Sequence, residues 1–228
     1  HAEMASYLKS IDPFGHLVTT SISHRDLEGL NDVKDMDINQ KHIYRATSSM
    51  PETIVRYEQA HGKPYVIGEF SFEWDWSKNF DDFGEDMDLD FKRGLWYGLF
   101  SPTPITPMSW WWEYFENRGM VPYFRNVRYV NDRMLKEGKG AFEVVPVKAG
   151  GADAYAVRCG KKVYVYAYNG SDRPVTEVSV PMEGRRKVVP FDFGKAVFRG
   201  GKKIRARDGQ LVIPTELAPR SEILFEIK

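Results

Sequence analysis

A change of texture near Ala141 constrains the fold of this chain more than any other feature of its sequence. Before it, short β-branched and aromatic runs are separated by stretches of helical period, and strands separated by helices argue for parallel βαβ construction. A complete eight-stranded barrel takes roughly 250 residues, so residues 1–140 have room for about half of one. After it, short alternating runs fall at about 142–147, 153–159, 162–169, 175–180, 186–190, 195–199, 210–214 and 221–227. They are separated by Gly150-Gly151, Asn169-Gly170, Gly200-Gly201 and Asp208-Gly209. Close turn spacing without helical period is the mark of an antiparallel sandwich, here residues 141–228, with the boundary expected at 138–142.

Within the first region, Ala2, Ala5 and Leu8 recur at helical spacing up to the turn Asp12-Pro-Phe-Gly15. A β-rich run, 16–22, and a polar connection, 24–35, lead into a second strand, Met36 to Tyr44. Period two places Gln40, His42 and Tyr44 on one face of it. Ser48 or Ser49 before Pro51 starts a helix that Gly62 stops. The next strand, Pro64 to Phe70, ends on a single carboxylate, and simple alternation puts Tyr65, Ile67 and Glu69 together. An acidic, aromatic connection (71–88) precedes a helix at 88–101. Pro102-Thr-Pro-Ile-Thr-Pro107 breaks that helix, Met108 to Phe115 reads as a strand end spilling into a loop, and a helix from Tyr123 closes near Gly138.

Bulk properties exclude several classes of function. The 32 basic residues balance the 32 acidic ones, so net charge points to neither nucleic acid nor an anionic membrane as partner. No apolar run is long enough to span a bilayer. The single cysteine, Cys159, excludes an internal disulfide and reads as a small buried residue on a strand. There is no nucleophile elbow, no glycine-rich phosphate loop and no zinc spacing, so no cofactor and no metal is expected. The acidic run Glu73, Asp75, Asp81, Asp82, Glu85, Asp86, Asp88 and Asp90 fits no EF-hand spacing and reads as a solvated face.

Parallel α/β folds gather catalytic groups at the carboxyl ends of their strands. Here those ends carry Tyr44, Glu69 and the tryptophans 110–112, with His42 one inward step below Tyr44 and His24 just beyond the first strand. A carboxylate can attack an anomeric carbon, a tyrosine hydroxyl can hold it ionised, and an indole face can stack on a pyranose ring. A strand-end salt bridge at Glu69, an ordinary buried histidine and tyrosine, and core tryptophans are the plain alternatives. Trp74 and Trp76, in the loop that would overhang the site, fit either a sugar cleft or packing anchors.

These motifs, His42-Ile-Tyr44, Ile67-Gly-Glu-Phe70 and Met108-Ser-Trp-Trp-Trp112, resemble the sixth, seventh and eighth strands of the clan A retaining glycoside hydrolases, the cellulase and mannanase type of (β/α)8 barrel. The resemblance covers residues 1–140 and implies the carboxyl-terminal half of a TIM barrel, about four strand–helix units, carrying a β-sandwich. It implies Glu69 as nucleophile, Tyr44 as the group that positions it and His42 as a subsite residue. Trp110, Trp112, Trp74, Trp76 and His24 would contact a β-linked poly- or oligosaccharide. The family's acid/base follows an asparagine on the fourth strand, and no Asn-Glu dipeptide occurs here. The expectation is therefore a fragment that opens in mid-domain, inactive until a missing amino-terminal half-barrel or a second copy supplies that group. A secreted, periplasmic or cell-surface location accompanies the reading. A noncatalytic carbohydrate-binding or scaffold protein is the rival.

Overall fold

The computed structural model describes residues 1–72, 77–101 and 107–228. Contacts divide the chain into two compact units, His1–Arg118 and Gly119–Lys228. This division precedes the change of texture by one helix, because the helix after Gly119 packs on the strands that follow it.

The first unit contains α1 (Ala2–Ile11), β1 (Asn39–Tyr44), α2 (Met50–His61), β2 (Tyr65–Ser71), α3 (Gly84–Leu99) and α4 (Trp112–Asn117). Helix α2 starts with a proline in its first turn and ends where Gly62 takes a φ of 63°. Strands β1 and β2 pair in parallel. On the far side of β2 the Phe70 amide donates to the Met108 carbonyl and the Trp110 amide to the Phe70 carbonyl, both at 2.9 Å. The 108–115 run thus meets the sheet as one bridge at Ser109 and turns into α4.

The expected first strand at 16–22 is not a strand. Asp37 takes both hydrogen-bonding groups of Val18, its carboxylate accepting from the amide at 2.7 Å and its own amide donating to the carbonyl at 2.8 Å. Thr19 and Ser21 reach β1 through side chains, at Gln40 and His42. Polar side chains take the bonds that a backbone ladder would use. Of the expected parallel strands, β1 and β2 form a ladder and the 108–115 run adds a single parallel bridge.

The helix-facing side of β2 is aromatic. Tyr65 stacks on Tyr57 of α2 with centroids 4.6 Å apart. Phe70 lies against Gly94 of α3, where an added Cβ would sit 2.2 Å from a ring carbon.

The second unit contains α5 (Phe124–Gly138) and nine strands: β3 (Glu143–Val145), β4 (Asp153–Cys159), β5 (Lys162–Asn169), β6 (Val175–Pro181), β7 (Arg185–Asp192), β8 (Val197–Phe198), β9 (Lys202–Arg205), β10 (Gln210–Leu217) and β11 (Ser221–Ile227). A seven-stranded sheet runs β3-β4-β5-β11-β7-β8, with β9 also on β7, and a two-stranded sheet pairs β10 with β6. Val163, Val165, Ala167 and Ile227 of the large sheet share one core with Val178, Val180, Leu211 and Ile213 of the small one. Strand β9 escapes the sequence reading because Ile204 is its single apolar residue.

Helix α5 covers the opposite face of the large sheet. Gly138 abuts Cys159, and Gly160, at φ 58°, leaves no room for a side chain beside the Glu137 carbonyl. Glu226, whose side chain is 0% exposed, accepts from Arg133 of α5 at 2.6 Å and pairs with Lys228 at 2.7 Å. Tyr164 donates to Glu226 at 3.2 Å and Tyr166 to Glu222 at 3.1 Å. With Tyr168 these tyrosines are buried on the sheet face opposite Val163, Val165 and Ala167. Burial opposes the Glu226 charge, but Lys228, Arg133 and Lys162 outweigh it and hold its pKa below the ordinary value.

Replacing Gly94 by Ala should cost about 3 kcal/mol in urea unfolding through overpacking against Phe70, and adding Phe70→Leu should return part of the loss. Replacing Glu226 by Gln should cost about 2 kcal/mol near neutral pH by stranding its cations. A depressed carboxyl pKa stabilises above the unfolded value of 4.5 and is lost as pH falls through the lower folded value. The gap between native chain and Glu226→Gln, read from urea midpoints, should therefore shrink on acidification below that range.

Candidate active site

The register of β1 against β2 decides which way Glu69 points. Pairing runs Lys41 with Ile67 and then His42 with Glu69, so Gly68 is an unpaired extra residue. Such a bulge re-aims the side chains that follow it. Tyr65, Ile67 and Phe70 stay on the helix side, and Glu69 shares the other face with Gln40, His42 and Tyr44. Simple alternation, which grouped Glu69 with Tyr65 and Ile67, is corrected by this one residue. Glycine is needed there, since a Cβ would lie 2.0 Å from the Gln40 side-chain oxygen and 3.3 Å from His42 Nε2.

On that face the Tyr44 hydroxyl donates to Glu69 Oε2 at 2.6 Å. His42 Nδ1 lies 2.9 Å from the same oxygen, and its Nε2 is 2.8 Å from Ser21 Oγ. Burial, and then the adjacent carboxylate, push the Tyr44 hydroxyl far above the ordinary phenol range, so it stays a donor. Burial lowers the His42 pKa, the Glu69 charge opposes it, and His24 adds to the lowering. Behind β1, Thr47 and Arg93 bind the buried Asp90 of α3, fixing the backbone just past Tyr44.

These groups sit in a cleft of about 410 Å³ lined by Ser23, His24, His42, Tyr44, Glu69, Trp110 and Trp111. The structure thus brings together five of the residues singled out in the sequence: Glu69, Tyr44, His42, Trp110 and His24. Trp112 is elsewhere, 55% exposed at the start of α4. Trp74 and Trp76 lie outside the described residues. Trp111, a member of the strand-end triplet from which Trp110 and Trp112 were preferred as sugar contacts, and Ser23, beside His24, also line the cleft. Trp111 takes φ 57° and ψ 34° ahead of α4, a conformation rare for a bulky side chain. Its ring packs edge-on against Phe80 at 4.7 Å. A period-two reading of three consecutive tryptophans cannot anticipate that turn.

A second cavity, of about 480 Å³, lies between residues 26–32 and α2, and holds none of the sequence-predicted groups. Two of its carboxylates are paired, Asp26 with Lys41 and Asp32 with His61, each at 2.7 Å. Among the described residues, no set of three or more His, Cys, Asp or Glu could hold a metal ion. Nor is any helix among them long and apolar enough to cross a membrane.

Because Glu69 is the one influence raising the His42 pKa, Glu69→Gln should lower it further below 6.5. An NMR titration of the imidazole signals checks this; an upward shift would contradict the arrangement described.

No protein-family profile and no curated protein matches the sequence. Among solved structures the chain superposes on a protein titled "Glycoside hydrolase" with a TM-score of 0.68 at 13% identity, covering 98% of this chain and 60% of that one. A glycoside hydrolase family 5 protein from Bacteroides vulgatus gives 0.66 at 16% identity, with 98% and 57% covered. An alpha-amylase from Geobacillus thermoleovorans gives 0.63 at 12% identity, with 100% and 56% covered. The chain spans less than two thirds of the length of these proteins. At such identities the likeness is one of fold: the chain has the architecture of part of a glycoside hydrolase barrel joined to a β-sandwich.

Proposed function

We propose that Glu69 is the nucleophile of a retaining glycoside hydrolase acting on a β-linked poly- or oligosaccharide. The observation that carries this reading is the Tyr44 hydroxyl on Glu69 Oε2, 2.6 Å away, on the floor of a cleft with tryptophans in its wall. Tyr44 donates to Oε2, which leaves Oε1 as the attacking atom. Oε1 bonds to the anomeric carbon as the leaving-group oxygen departs with the glycosidic electron pair, and water later cleaves the glycosyl ester. Tyr44 moderates the carboxylate charge and fixes its orientation. Trp110 and Trp111 offer ring faces to the sugar.

The leaving oxygen needs a proton from a second carboxyl group about 5 to 5.5 Å from the first in retaining enzymes. Among the described residues lining the cleft, Glu69 is the single carboxylate. We assign the acid/base to a further part of the barrel, carried by additional chain or by a second copy. The lone carboxylate also favours a second reading, noncatalytic glycan binding, and the two separate on chemistry.

A dinitrophenyl 2-deoxy-2-fluoro-β-glycoside has a leaving group that needs no proton, so the 228-residue chain should gain one glycosyl mass on Glu69, seen by intact and peptide mass spectrometry. Labelling that persists in Glu69→Gln would reject the assignment. In the completed enzyme Glu69→Gln should lower turnover about 10⁴-fold or more while sparing sugar binding. Tyr44→Phe should lower kcat about 10²-fold with little change in KM.

A further inference from the structure

The edge of the large sheet carries a concentration of positive charge that neither the core nor the cleft explains. Strands β7 and β9 pair antiparallel with Arg185 opposite Arg205 and Lys187 opposite Lys203. Residues directly opposite share a face and alternate along the strand. Val188 belongs to the core and Ile204 packs against it. The four cations therefore occupy the outward face together, and all four are exposed. None of them makes an ion pair or side-chain hydrogen bond to a described residue. By strand geometry they form a grid of about 5 Å by about 7 Å. Lys228 continues the Lys187 row, the two backbones exchanging bonds at 3.0 Å, but its ammonium is already held by Glu226.

Like charges directly opposite on paired strands destabilise the pair. Here two such pairs lie in succession, in a chain whose 32 basic and 32 acidic residues balance. Protection of an exposed sheet edge explains lysines on β9, the outer strand. It does not explain Lys187 on β7, which is flanked by Lys203 of β9 on one side and by the Lys228 backbone on the other, while Arg185 extends past the end of β11.

We propose that this ribbon is a docking surface for an acidic polysaccharide, carboxylated or sulfated, lying across the β7–β9 ladder. No aromatic ring alternates with the four cations along the paired strands to stack a nucleic acid base. No exposed apolar side chain stands among them to enter a bilayer. The choice of a glycan over other polyanions rests on the glycosidase reading.

Retention of the 228-residue chain is measured by affinity electrophoresis and calorimetry on polygalacturonate, dextran sulfate, a neutral β-glucan, duplex DNA and phosphatidylserine vesicles. The expected result is salt-sensitive binding to one or both acidic glycans, with the preferred polymer identifying the anion. The double variant Lys187→Gln, Lys203→Gln, with an unchanged circular dichroism spectrum, should bind roughly fivefold more weakly, as the loss of two exposed ion contacts predicts. Absent binding to both acidic glycans, equal binding by the double variant, or tighter binding to DNA or vesicles would overturn the proposal. Glu69→Gln should leave this retention unchanged. Failure of the nucleophile assignment appears in glycosyl labelling, and failure of the docking surface appears in polymer retention.

Discussion

The Tyr44 hydroxyl holds one oxygen of Glu69, with His42 Nδ1 2.9 Å from the same atom, and the cleft depends on how the backbone brings these groups there. Tyr44 and His42 stand two residues apart on β1, so period two alone aligns them. Glu69 reaches the same face because Gly68 adds a residue to β2 that β1 does not match. The helix side of β2 keeps Tyr65 and Phe70 buried against α2 and α3. One strand therefore serves the core with its first residues and the site with its last, with a glycine between these roles. Farther along, the Trp111 backbone takes a left-handed conformation in the wall of the same cleft.

The second unit solves a different problem. Its large sheet is covered on one face by the small sheet and on the other by α5. The α5 side is lined with tyrosines whose hydroxyls need partners when buried. Glu222 and Glu226 supply acceptors, and Arg133, Lys162 and Lys228 compensate the buried charge of Glu226. The network orients α5 on the sheet by directional bonds where apolar contact alone would let it slide.

Legibility in the sequence followed the strength of local signals. Strands with clear alternation and glycine turns, such as β4, β5 and β11, were readable almost to the residue, and so was α2 with Pro51 and Gly62 at its ends. The run at 16–22 misled because its β-branched residues say nothing about Asp37, which captures the Val18 backbone. Strand β9 was hidden by its charge. Tyr44, His42, Glu69, Trp110 and His24 were legible as strand-end groups, and the structure gathers them in one cleft. The face that Glu69 occupies was not, since parity fails wherever a bulge intervenes. Within the tryptophan triplet, Trp110 and Trp112 were preferred over Trp111 as sugar contacts, because the place of Trp111 in the cleft wall goes with a left-handed dihedral that no periodicity encodes.

Helix α5 has a bearing on how the chain can be divided. A cut at the change of texture, between 140 and 141, would strip the tyrosine face of its cover and remove the guanidinium that neutralises Glu226. The surface left behind would hold buried-type rings and a carboxylate with a diminished counter-charge, the profile of a piece that self-associates in solution. Limited proteolysis would follow the same logic: the segment near Gly119, between the units, is the natural nick, and the polypeptide from there to Lys228 carries its own lid.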